Sequence, residues 1–470
     1  MPDILHVIRG YSRGGAATAM LGLARRAVEA GQRHAIASLV PSDPAHAETA
    51  RALGVPVHDV TSPSHFATLA DAFDIVLVHW WNSPEMDTFL RAPLPPIRLA
   101  LWIHVGGTSA PQVVTRSLLA LPDIAIGCSP VTLEAMQDTW SGTDLHMVLA
   151  GAEFDPLKAV QPQPHSGFTV GYVGTAASHK MHPNYISMSS KARLEDARFI
   201  VCGDGELEQL RAQAAETACP EAFEIRGFVD SVADVFASLD VYGYPLCHDT
   251  YAAAELNLQE AMYCGVPPVV FPHGGVRLLV DHGINGLVVE NEADYALALE
   301  QLHDDPAERL RLGTNARRKA QTEFGAENTF KNMERVCQSL MARPKQSRSG
   351  LGNGIDPATG FERFMDSLGE NDTIFRISAG LTPGDMEQAD TAIANASPLM
   401  ASRWSGGILH WASAWREDPW LAYWSGLVQE KSAPDRAHEA FCKAEQKGLN
   451  TPRLSRRIRR TTDATHTKEL

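Results

Sequence analysis

Glycines and a lysine that follow predicted strands have the chemistry to bind a phosphate group. Gly14 and Gly15 come directly after an apolar run at 3–8 and stand where a helix begins. A glycine pair at a helix N-terminus lets backbone N–H groups approach an anion, although a plain tight turn is the simpler interpretation. Lys180 ends the loop that starts at Gly174, and its ammonium group can face a diphosphate. A lone loop lysine is more often solvated, so Lys180 needs partners before it indicates a site.

A carboxylate farther along the chain has the chemistry to hold a sugar. Glu260 lies in the segment 249–267, which separates two apolar runs. An ionised carboxylate accepts two hydrogen bonds, which suits the vicinal hydroxyls of a ribose. A capping or helix-dipole glutamate is the structural alternative. Tyr251, in the same segment, offers a ring that could stack on a donor or an acceptor molecule.

Aromatic and polar residues end two apolar runs of the first half of the chain. Trp80, Trp81 and Asn82 follow the run DIVLVH, and stacking on a sugar and packing in a core explain the tryptophans equally well. His104 ends the run RLALWIH. These positions matter because ligands of parallel α/β sheets bind beyond the carboxyl ends of the strands.

Short apolar runs alternate with amphipathic stretches over residues 1–340, which predicts doubly wound α/β structure. The predicted strands are 3–8, 34–39, 74–80, 98–104 and 123–128 in the first half, and 168–174, 198–203, 223–228, 240–245, 267–272 and 286–290 in the second. A proline-containing seam at 152–167 separates the halves. We therefore expect two Rossmann-like domains, 1–155 and 166–341, that face each other across a ligand-binding cleft. A helix at 326–341 should lie near the point where the chain crosses between them.

Charge and cysteine content exclude some classes of partner and site. The chain has 470 residues, 56 of them acidic and 41 basic, for a formal net charge of −15, so nucleic acid is a poor partner. Seven scattered cysteines without a Cys-x-x-Cys pair argue against a disulfide framework and a zinc ribbon. No apolar run is long enough to span a bilayer, and the N-terminus is typical of a strand and not of a secretion signal. We expect a cytoplasmic protein.

The end of the chain differs in composition from the rest. Residues 343–360 are rich in Gly, Ser and basic side chains and are predicted to be a linker. Residues 361–470 are predicted to form a helical, Trp-rich appendage that could bind a protein partner. Ala437, Phe441 and Ala444 have the spacing of one tetratricopeptide-like unit. The arginine-rich tail after Pro452 is predicted to be solvated, with contact to anionic lipid headgroups as the second interpretation.

Several segments, taken in order, resemble glycosyltransferase family 4, whose members are retaining transferases with the GT-B fold. The most specific is QEAMYCGVPPVV at 259–270, which is similar to the family's glutamate motif. The others are Gly14–Gly15, His104 in LWIHVGG, GYVG at 171–174 with Lys180, VCGDG at 201–205, IRGF at 225–228, GINGLV at 283–288 and RLRLG at 309–313. The resemblance covers about residues 1–341 and leaves out the helical appendage.

The resemblance implies a role for each matching residue. Glu260 would hold the ribose hydroxyls of a nucleotide-sugar donor, while Lys180 and the amides of Gly14 and Gly15 would contact its diphosphate. His104 would be a catalytic residue beside the donor sugar, and Trp80, Trp81 and Asn82 would lie on the acceptor side. No metal or other cofactor is implied, because fixed cations and a helix N-terminus can stabilise the leaving diphosphate. The implied reaction moves a hexose to a glycan or a lipid-linked acceptor with retention of configuration, as in polysaccharide biosynthesis. A lipid-linked acceptor would place the protein peripherally at the inner leaflet.

Some positions depart from the family's usual residues. Ala252 stands where a glutamate is usual, and the nearest carboxylate, Glu255, stands where a glycine is usual. Thr175 replaces an arginine of the diphosphate site, and Leu278 replaces a further glutamate. The donor site therefore lacks one cation and one familiar carboxylate.

Two interpretations of these departures remain open. In the first, Glu255 or loop backbone takes over the role of the missing catalytic carboxylate and Arg277 or another cation supports Lys180, so the protein is an active transferase. In the second, the fold is a scaffold that binds a nucleotide and catalyses nothing. A nucleotide-sugar 2-epimerase is a third alternative, which would turn over donor without an acceptor. We favour the first, because Lys180, His104 and Glu260 are all retained.

Overall fold

The structure, a computed structural model, describes residues 2–140, 142, 144–161, 163, 165–354 and 357–466. The strands of the first half are β1 (Ile4–Gly10), β2 (His34–Val40), β3 (Val57–Asp59), β4 (Ile75–Trp80), β5 (Leu94–Ile97), β6 (Leu99–Ile103), β7 (Thr108–Ser109), β8 (Gln112–Val113), β9 (Ile124–Gly127) and β10 (Asp144–Met147). Seven of them form a parallel sheet in the order β10-β9-β6-β4-β1-β2-β3.

A second parallel sheet follows the proline-containing seam. Its strands are β11 (Phe168–Val173), β12 (Ala197–Cys202), β13 (Phe223–Gly227), β14 (Val241–Tyr244), β15 (Pro268–Val270) and β16 (Leu287–Val288). Their order in space is β13-β12-β11-β14-β15-β16. The two Rossmann-like sheets confirm the predicted fold class. Each predicted strand is present, whereas short strands such as β3 and β10 were missed because they carry few apolar residues.

Helices connect the strands of both sheets and cover their faces. In the two sheet-containing halves they are α1 (Gly15–Glu29), α2 (Pro44–Ala52), α3 (Pro63–Asp71), α4 (Pro84–Arg91), α5 (Arg116–Leu119), α6 (Pro130–Thr139), α7 (Tyr185–Ser189), α8 (Leu207–Ala215), α9 (Val232–Ala237), α10 (Leu256–Tyr263), α11 (Val276–Leu279), α12 (Glu292–Asp304), α13 (Pro306–Glu323) and α14 (Ala326–Met341). The strands are apolar on both faces because both faces are buried by these helices.

Helix α14 returns from the second sheet to the first. Its buried residues Met333, Cys337 and Leu340 pack in one cluster with Leu23 of α1 and Trp102 of β6. This placement confirms the expected crossing helix at 326–341. One face of the first sheet is thus covered by a helix that follows the second sheet in the chain.

The segment 343–360, predicted to be a linker, is attached to the first sheet-containing half. Within it, β17 (Gln346–Arg348) pairs antiparallel with β5. The guanidinium of Arg348 lies 2.6 Å from the Asp123 carboxylate, and both side chains are largely buried. The structure describes this segment except for 355 and 356, and the described part is packed against its neighbours.

The C-terminal region is helical, as predicted, and has its own core. Its helices are α15 (Gly360–Leu368), α16 (Thr373–Ser378), α17 (Met386–Ala394), α18 (Pro398–Ala401), α19 (Ile408–Ala414), α20 (Pro419–Gln429), α21 (Pro434–Gln446) and α22 (Pro452–His466). Trp411 and Trp424 are fully buried in this core, together with Ala437, Phe441 and Ala444 of the predicted tetratricopeptide-like unit. Residues 467–470 lie outside the described residues.

The prediction of a solvated basic tail is wrong for the described residues. Helix α22 carries the arginines, and four of them, including Arg460 at 3.7 Å from Glu430, face acidic residues of the same helical region. Arg453 pairs with the buried Asp390 at 2.7 Å. Arg456 and Arg457 contact Glu387 and Glu430 respectively. These arginines balance acidic side chains within the protein, which sequence composition alone did not indicate. Across the described residues, no helix is both long and apolar enough to cross a bilayer.

Candidate functional site

The glycine turn after β1 presents an open helix N-terminus. Gly14 precedes α1 with a φ of 150°, and no side chain caps the helix or places an acidic group in its first turn. A side chain at Gly14 would meet nothing within 4 Å, so this position faces open space. The first N–H groups of a helix have no partners inside it and carry the positive end of its dipole. This turn has the geometry of an anion site.

Direct contacts bring the carboxyl edges of the two sheets together. The backbone N–H of Gly106, in the loop after β6, donates to the carbonyl of Tyr251 at 2.8 Å. The hydroxyl of Ser109 donates to the carbonyl of Thr250 at 3.2 Å. The segment that leads into α10 therefore lies against the loop that follows His104.

Lys180 lies beside the carboxylate of Glu255. The Nζ atom of Lys180 is 3.5 Å from Oε2 of Glu255, and the hydroxyl of Tyr244 donates to the same oxygen at 2.6 Å. Burial alone would lower the pKa of Lys180, but the Glu255 carboxylate raises it above its ordinary value. Lys180 therefore stays charged in this site. The structure thus brings together two predicted site residues that are far apart in the sequence.

The backbone of Glu255 has a conformation that favours glycine. Its φ of 48° and ψ of 60° lie in the left-handed region, at the residue that precedes α10. Non-glycine residues adopt this region at an energetic cost, and such residues are concentrated at functional sites. In the family that the sequence resembles, glycine is usual at this position. Here the backbone keeps a conformation typical of glycine, and the side chain adds a buried carboxylate.

Glu260 lies in the middle of α10, five residues beyond Glu255. Its closest polar neighbour is the amide nitrogen of Asn257, 3.4 Å from Oε2. Burial raises the pKa of Glu260 to about 8. A carboxylate that gives up so much hydration without a cation beside it is suited to accept hydrogen bonds from a ligand.

His104 lies at the carboxyl end of β6, close to the segment of Tyr251. Its Nε2 atom is 2.9 Å from Nδ1 of His79, and its ring is 4.6 Å from that of Trp102, centroid to centroid. Burial lowers the pKa of His104 to about 3, so the imidazole is neutral at pH 7. The contact with His79 uses Nε2 and does not involve Nδ1.

Arg13 is a functional candidate that the sequence analysis missed. It precedes Gly14, and its guanidinium lies 4.9 Å from the ring centre of Phe228, which follows β13 in the second half. Arg13 therefore supplies a cation at the glycine turn. Its position directly before Gly14 was the available signal. By contrast, Arg277 pairs with Glu134 at 2.7 Å, away from Lys180.

The other predicted donor-site residues have structural contacts. The carbonyl of Thr175 accepts a 2.8 Å hydrogen bond from the hydroxyl of Tyr172. The Tyr251 ring stacks on His179 with centroids 6.1 Å apart. Both residues are partly buried at the carboxyl edge of the second sheet. Their roles toward a donor stay predictions.

The aromatic group predicted for the acceptor is mostly enclosed by protein. Trp80 and Asn82 are buried, with exposed fractions of 6% and 3%, while Trp81 is partly buried. The Asn82 side chain donates to the carbonyl of Pro111 at 2.7 Å and to the hydroxyl of Ser367 at 3.1 Å. Ser367 belongs to α15, so the helical region covers this surface. Trp80 and Asn82 therefore pack inside the protein, and the acceptor-side roles of these residues stay predictions.

Metal-ligating side chains do not gather in the part of the chain that the structure describes. No group of three or more His, Cys, Asp or Glu residues is arranged there to hold a metal ion. The charged groups that we consider for a ligand at the glycine turn and α10 are the Arg13 guanidinium, the Lys180 ammonium and the carboxylates of Glu255 and Glu260.

Comparison with known proteins places a family on the second half of the chain. Residues 153–319 match the family described as Glycosyl transferases group 1. A GDP-mannose-dependent alpha-mannosyltransferase of Mycolicibacterium smegmatis is 31% identical over 150 residues, 32% of this chain and 37% of that protein. A D-inositol 3-phosphate glycosyltransferase of Pseudarthrobacter chlorophenolicus is 32% identical over 120 residues, 25% of this chain and 26% of that protein. The chain thus matches well under half the length of either relative.

Solved structures share the fold over most of the chain. HepE of Anabaena, in a complex with UDP-glucose, superposes with a TM-score of 0.60 at 16% identity and covers 72% of this chain and 100% of its own. The sucrose-phosphate synthase of Thermosynechococcus elongatus gives a TM-score of 0.60 at 16% identity, covering 72% of this chain and 99% of its own. At this identity the likeness establishes the fold alone. Residues 153–319 therefore match a Glycosyl transferases group 1 domain, within a chain whose two facing sheets have the GT-B fold.

Proposed function

We propose that the protein transfers a hexose from a nucleotide-sugar to a glycan or lipid-linked acceptor with retention of configuration. The observation that carries the proposal is the 2.8 Å hydrogen bond from Gly106 to Tyr251. It holds the loop after His104 against the segment that leads to Glu255 and Glu260. The match of residues 153–319 to glycosyl transferases supports the same class of reaction.

In this proposal each part of the donor meets a group of matching chemistry. The ribose hydroxyls donate to the Glu260 carboxylate. The diphosphate lies between Lys180, Arg13 and the N-terminus of α1, whose N–H groups and cationic side chains offset its charge. The donor sugar lies against Nδ1 of His104, which accepts a hydrogen bond from a sugar hydroxyl.

The proposed reaction needs no side-chain nucleophile. The bond between the anomeric carbon and the diphosphate breaks, and the acceptor oxygen forms a bond to the same face of that carbon. The acceptor hydroxyl gives its proton to the departing diphosphate. Lys180, Arg13 and the α1 N-terminus stabilise the charge that develops on the leaving group. We propose that no metal ion takes part, which predicts full activity in excess EDTA.

Ligand-dependent thermal stability tests the donor site first. UDP, GDP, ADP and their sugar conjugates are compared on wild type and Glu260→Ala, since a ligand at 100 times its Kd stabilises a protein by about 2.7 kcal/mol. One nucleotide should stabilise wild type and not the variant. The anomeric configuration of the product, followed by proton NMR, then tests retention. A panel without any stabilising nucleotide up to millimolar concentration contradicts the proposal.

A nucleotide-binding scaffold is the second candidate. The observation that favours it is the pairing of Lys180 with Glu255, which reduces the positive charge offered to a diphosphate. Thr175, in the place of an arginine, removes a further cation. A scaffold binds the nucleotide in the thermal panel but neither transfers nor hydrolyses the sugar at saturating donor.

A further inference from the structure

Three buried histidines, His6, His34 and His79, and the partly buried His104 form a continuous row of hydrogen bonds that begins at the candidate site. Nε2 of His104 is 2.9 Å from Nδ1 of His79. Nε2 of His79 is in turn 2.9 Å from Nδ1 of His6, and Nε2 of His6 is 2.8 Å from Nδ1 of His34. Every link joins Nε2 of one ring to Nδ1 of the next.

The register of the sheet explains why these residues line up. His34 pairs with Ile4, His79 pairs with Ile8, and His79 also pairs with Trp102. Each step of the row therefore moves one strand across the sheet and two residues toward the carboxyl edge. Side chains two residues apart share a face, so all four rings lie on the face covered by α1 and α14. Neighbouring ring centroids are 4.9–5.1 Å apart, so the whole row is at most about 15 Å long.

Burial leaves each ring neutral. It lowers the pKa of His104 to about 3 and that of His34 to about 4, and it lowers the pKa values of His6 and His79 well below the ordinary range. A neutral imidazole has one N–H donor and one acceptor nitrogen. In an unbroken row of such rings, the direction of one hydrogen bond determines the direction of all the others.

The direction of the hydrogen bonds is determined at the end of the row that His34 occupies. Nε2 of His34 is 3.1 Å from Oε1 of Gln32, and the amide nitrogen of Gln32 is 3.5 Å from a carboxylate oxygen of Glu334 on α14. An ionised carboxylate only accepts hydrogen bonds, so Gln32 turns its NH2 group toward Glu334 and its oxygen toward His34. His34 must then donate from Nε2, and each following ring must do the same.

We propose that Glu334 and Gln32, acting through His34, His6 and His79, hold His104 in the Nε2–H tautomer and so present its Nδ1 lone pair to the cleft. These residues are positioning residues, since none of them contacts the reacting atoms. The importance of this lone pair for sugar transfer rests on the proposed function, whereas the tautomer itself does not. A helix that follows the second sheet thus sets the chemistry of a side chain that it reaches through Gln32 and three other histidines.

The row is not arranged as a metal site. Each pair of facing nitrogen atoms in the row is 2.8–2.9 Å apart and shares one proton. His6 and His79 use both ring nitrogens in this way, and His34 and His104 use one each. A metal ion would instead require several nitrogens around one point at about 2.1 Å from it.

Histidine-selective ¹⁵N NMR of the full-length protein tests the tautomer directly, because protonated and unprotonated ring nitrogens differ in chemical shift. Spectra at pH 8 are recorded for wild type, Gln32→Lys and Gln32→Glu, and His104→Gln assigns the His104 signals. Gln32→Glu keeps an acceptor next to His34 and should leave the His104 pattern unchanged. Gln32→Lys offers only donors and should move the His104 proton from Nε2 to Nδ1.

Glu334→Lys provides a second route to the same reversal. Its ammonium group donates to Oε1 of Gln32, which turns the Gln32 NH2 group toward His34. Gln32→Lys and Glu334→Lys change residues at the edge of the first sheet-containing half. Both variants are therefore expected to fold, and circular dichroism checks this. The proposal is overturned if His104 carries its proton on Nδ1 in wild type, or if folded Gln32→Lys and Glu334→Lys keep the wild-type pattern.

Kinetics separate this inference from the proposed function. With a donor and an acceptor identified, Gln32→Lys should lower kcat about tenfold with little change in KM, whereas Gln32→Glu should not. A tautomer reversal in a protein that transfers no sugar supports the row and contradicts the proposed function. If Gln32→Lys has a normal kcat and an unchanged tautomer, the proposed effect of the histidine row is wrong, whereas the proposed transferase function is not contradicted.

Discussion

The ammonium nitrogen of Lys180 lies 3.5 Å from a carboxylate oxygen of Glu255 whose side chain is only 1% exposed. Tyr244 donates a hydrogen bond to the same oxygen. The cation expected to face a diphosphate therefore has an internal counter-charge, held on a residue with left-handed backbone. The strength of the diphosphate site depends on this pair.

Removing the counter-charge should strengthen diphosphate binding. We expect Glu255→Gln to tighten binding of a nucleoside diphosphate about tenfold, or about 1.4 kcal/mol, because glutamine keeps an acceptor for Tyr244 without opposing the charge of Lys180. Titration calorimetry with the diphosphate and with the plain nucleoside measures the effect, which should be absent for the nucleoside. Tyr244→Phe keeps the charge and is the control. Weaker binding of both ligands to Glu255→Gln would instead mean that Glu255 contacts the donor.

Nucleoside binding should release a proton from Glu260. Burial raises the pKa of this carboxyl to about 8, so it is mostly protonated at pH 7. Ribose hydroxyls donate to the ionised form, which lowers the pKa in the complex. The Kd should therefore decrease as the pH rises from 6 to 8 and level off above 8. Calorimetry in two buffers of different ionisation enthalpy counts the protons, and Glu260→Gln should release none. Equal proton counts for the two proteins would assign the titration to another group.

Arg13 should contribute to the diphosphate site and not to the nucleoside site. We expect Arg13→Gln to weaken binding of a nucleoside diphosphate about threefold to tenfold, with a smaller loss at high salt because ions screen an exposed charge. Surface plasmon resonance at two salt concentrations measures this. Phe228→Ala removes the ring beneath Arg13 but keeps its charge, and it should have less effect. Equal losses for nucleoside and diphosphate would show that Arg13 acts on the fold.

The helical region should depend on a buried ion pair where it meets α4. Arg91 and Asp87 are 3.0 Å apart, with side chains 3% and 6% exposed, and Asp366 of α15 contacts Arg91. We expect Arg91→Met to destabilise the protein by about 3 kcal/mol in urea unfolding, because it removes the nearer cation from the buried Asp87 carboxylate and leaves Arg363 at 3.9 Å. Asp366→Asn, at a half-exposed carboxylate, should cost about 1 kcal/mol or less. A double variant, Asp87→Asn with Arg91→Met, should recover part of the loss.

The histidine row should make the protein sensitive to acid. The folded-state pKa values of these histidines lie below 6.5, so the unfolded state binds more protons below that pH and stability falls as the pH decreases. Each histidine contributes a slope of about 1.4 kcal/mol per pH unit. Urea unfolding measures the free energy of unfolding between pH 7 and pH 4.5. Its dependence on pH should be less steep in His34→Gln than in wild type, by about 1.4 kcal/mol per pH unit. His248→Gln, at an exposed side chain, should match wild type. An unchanged slope in His34→Gln would contradict this account.

The sequence was sufficient to predict the long buried strands and the site residues that follow strands. Continuous apolar runs predicted the buried strands, because parallel strands need apolar residues on both faces. The glycine turn, Lys180 and Glu260 follow strands, and strand ends meet at one edge of a parallel sheet, so their grouping could also be predicted. The prediction of a solvated arginine-rich tail was wrong because the partners of its arginines are distant in the sequence. Arg453 pairs with a buried aspartate on a different helix, which composition does not encode.

Contacts between distant residues were decided by the tertiary structure alone. The approach of Glu255 to Lys180, the covering of Asn82 by α15 and the alignment of His6 with His34 and His79 each depend on how separate elements pack. Local periodicity shows which face of a strand is buried, but a hydrogen bond between side chains depends on register and packing to within an ångström. The sequence therefore determined the fold class and the candidate residues, while packing decided which of them are paired, which are enclosed and which face the cleft.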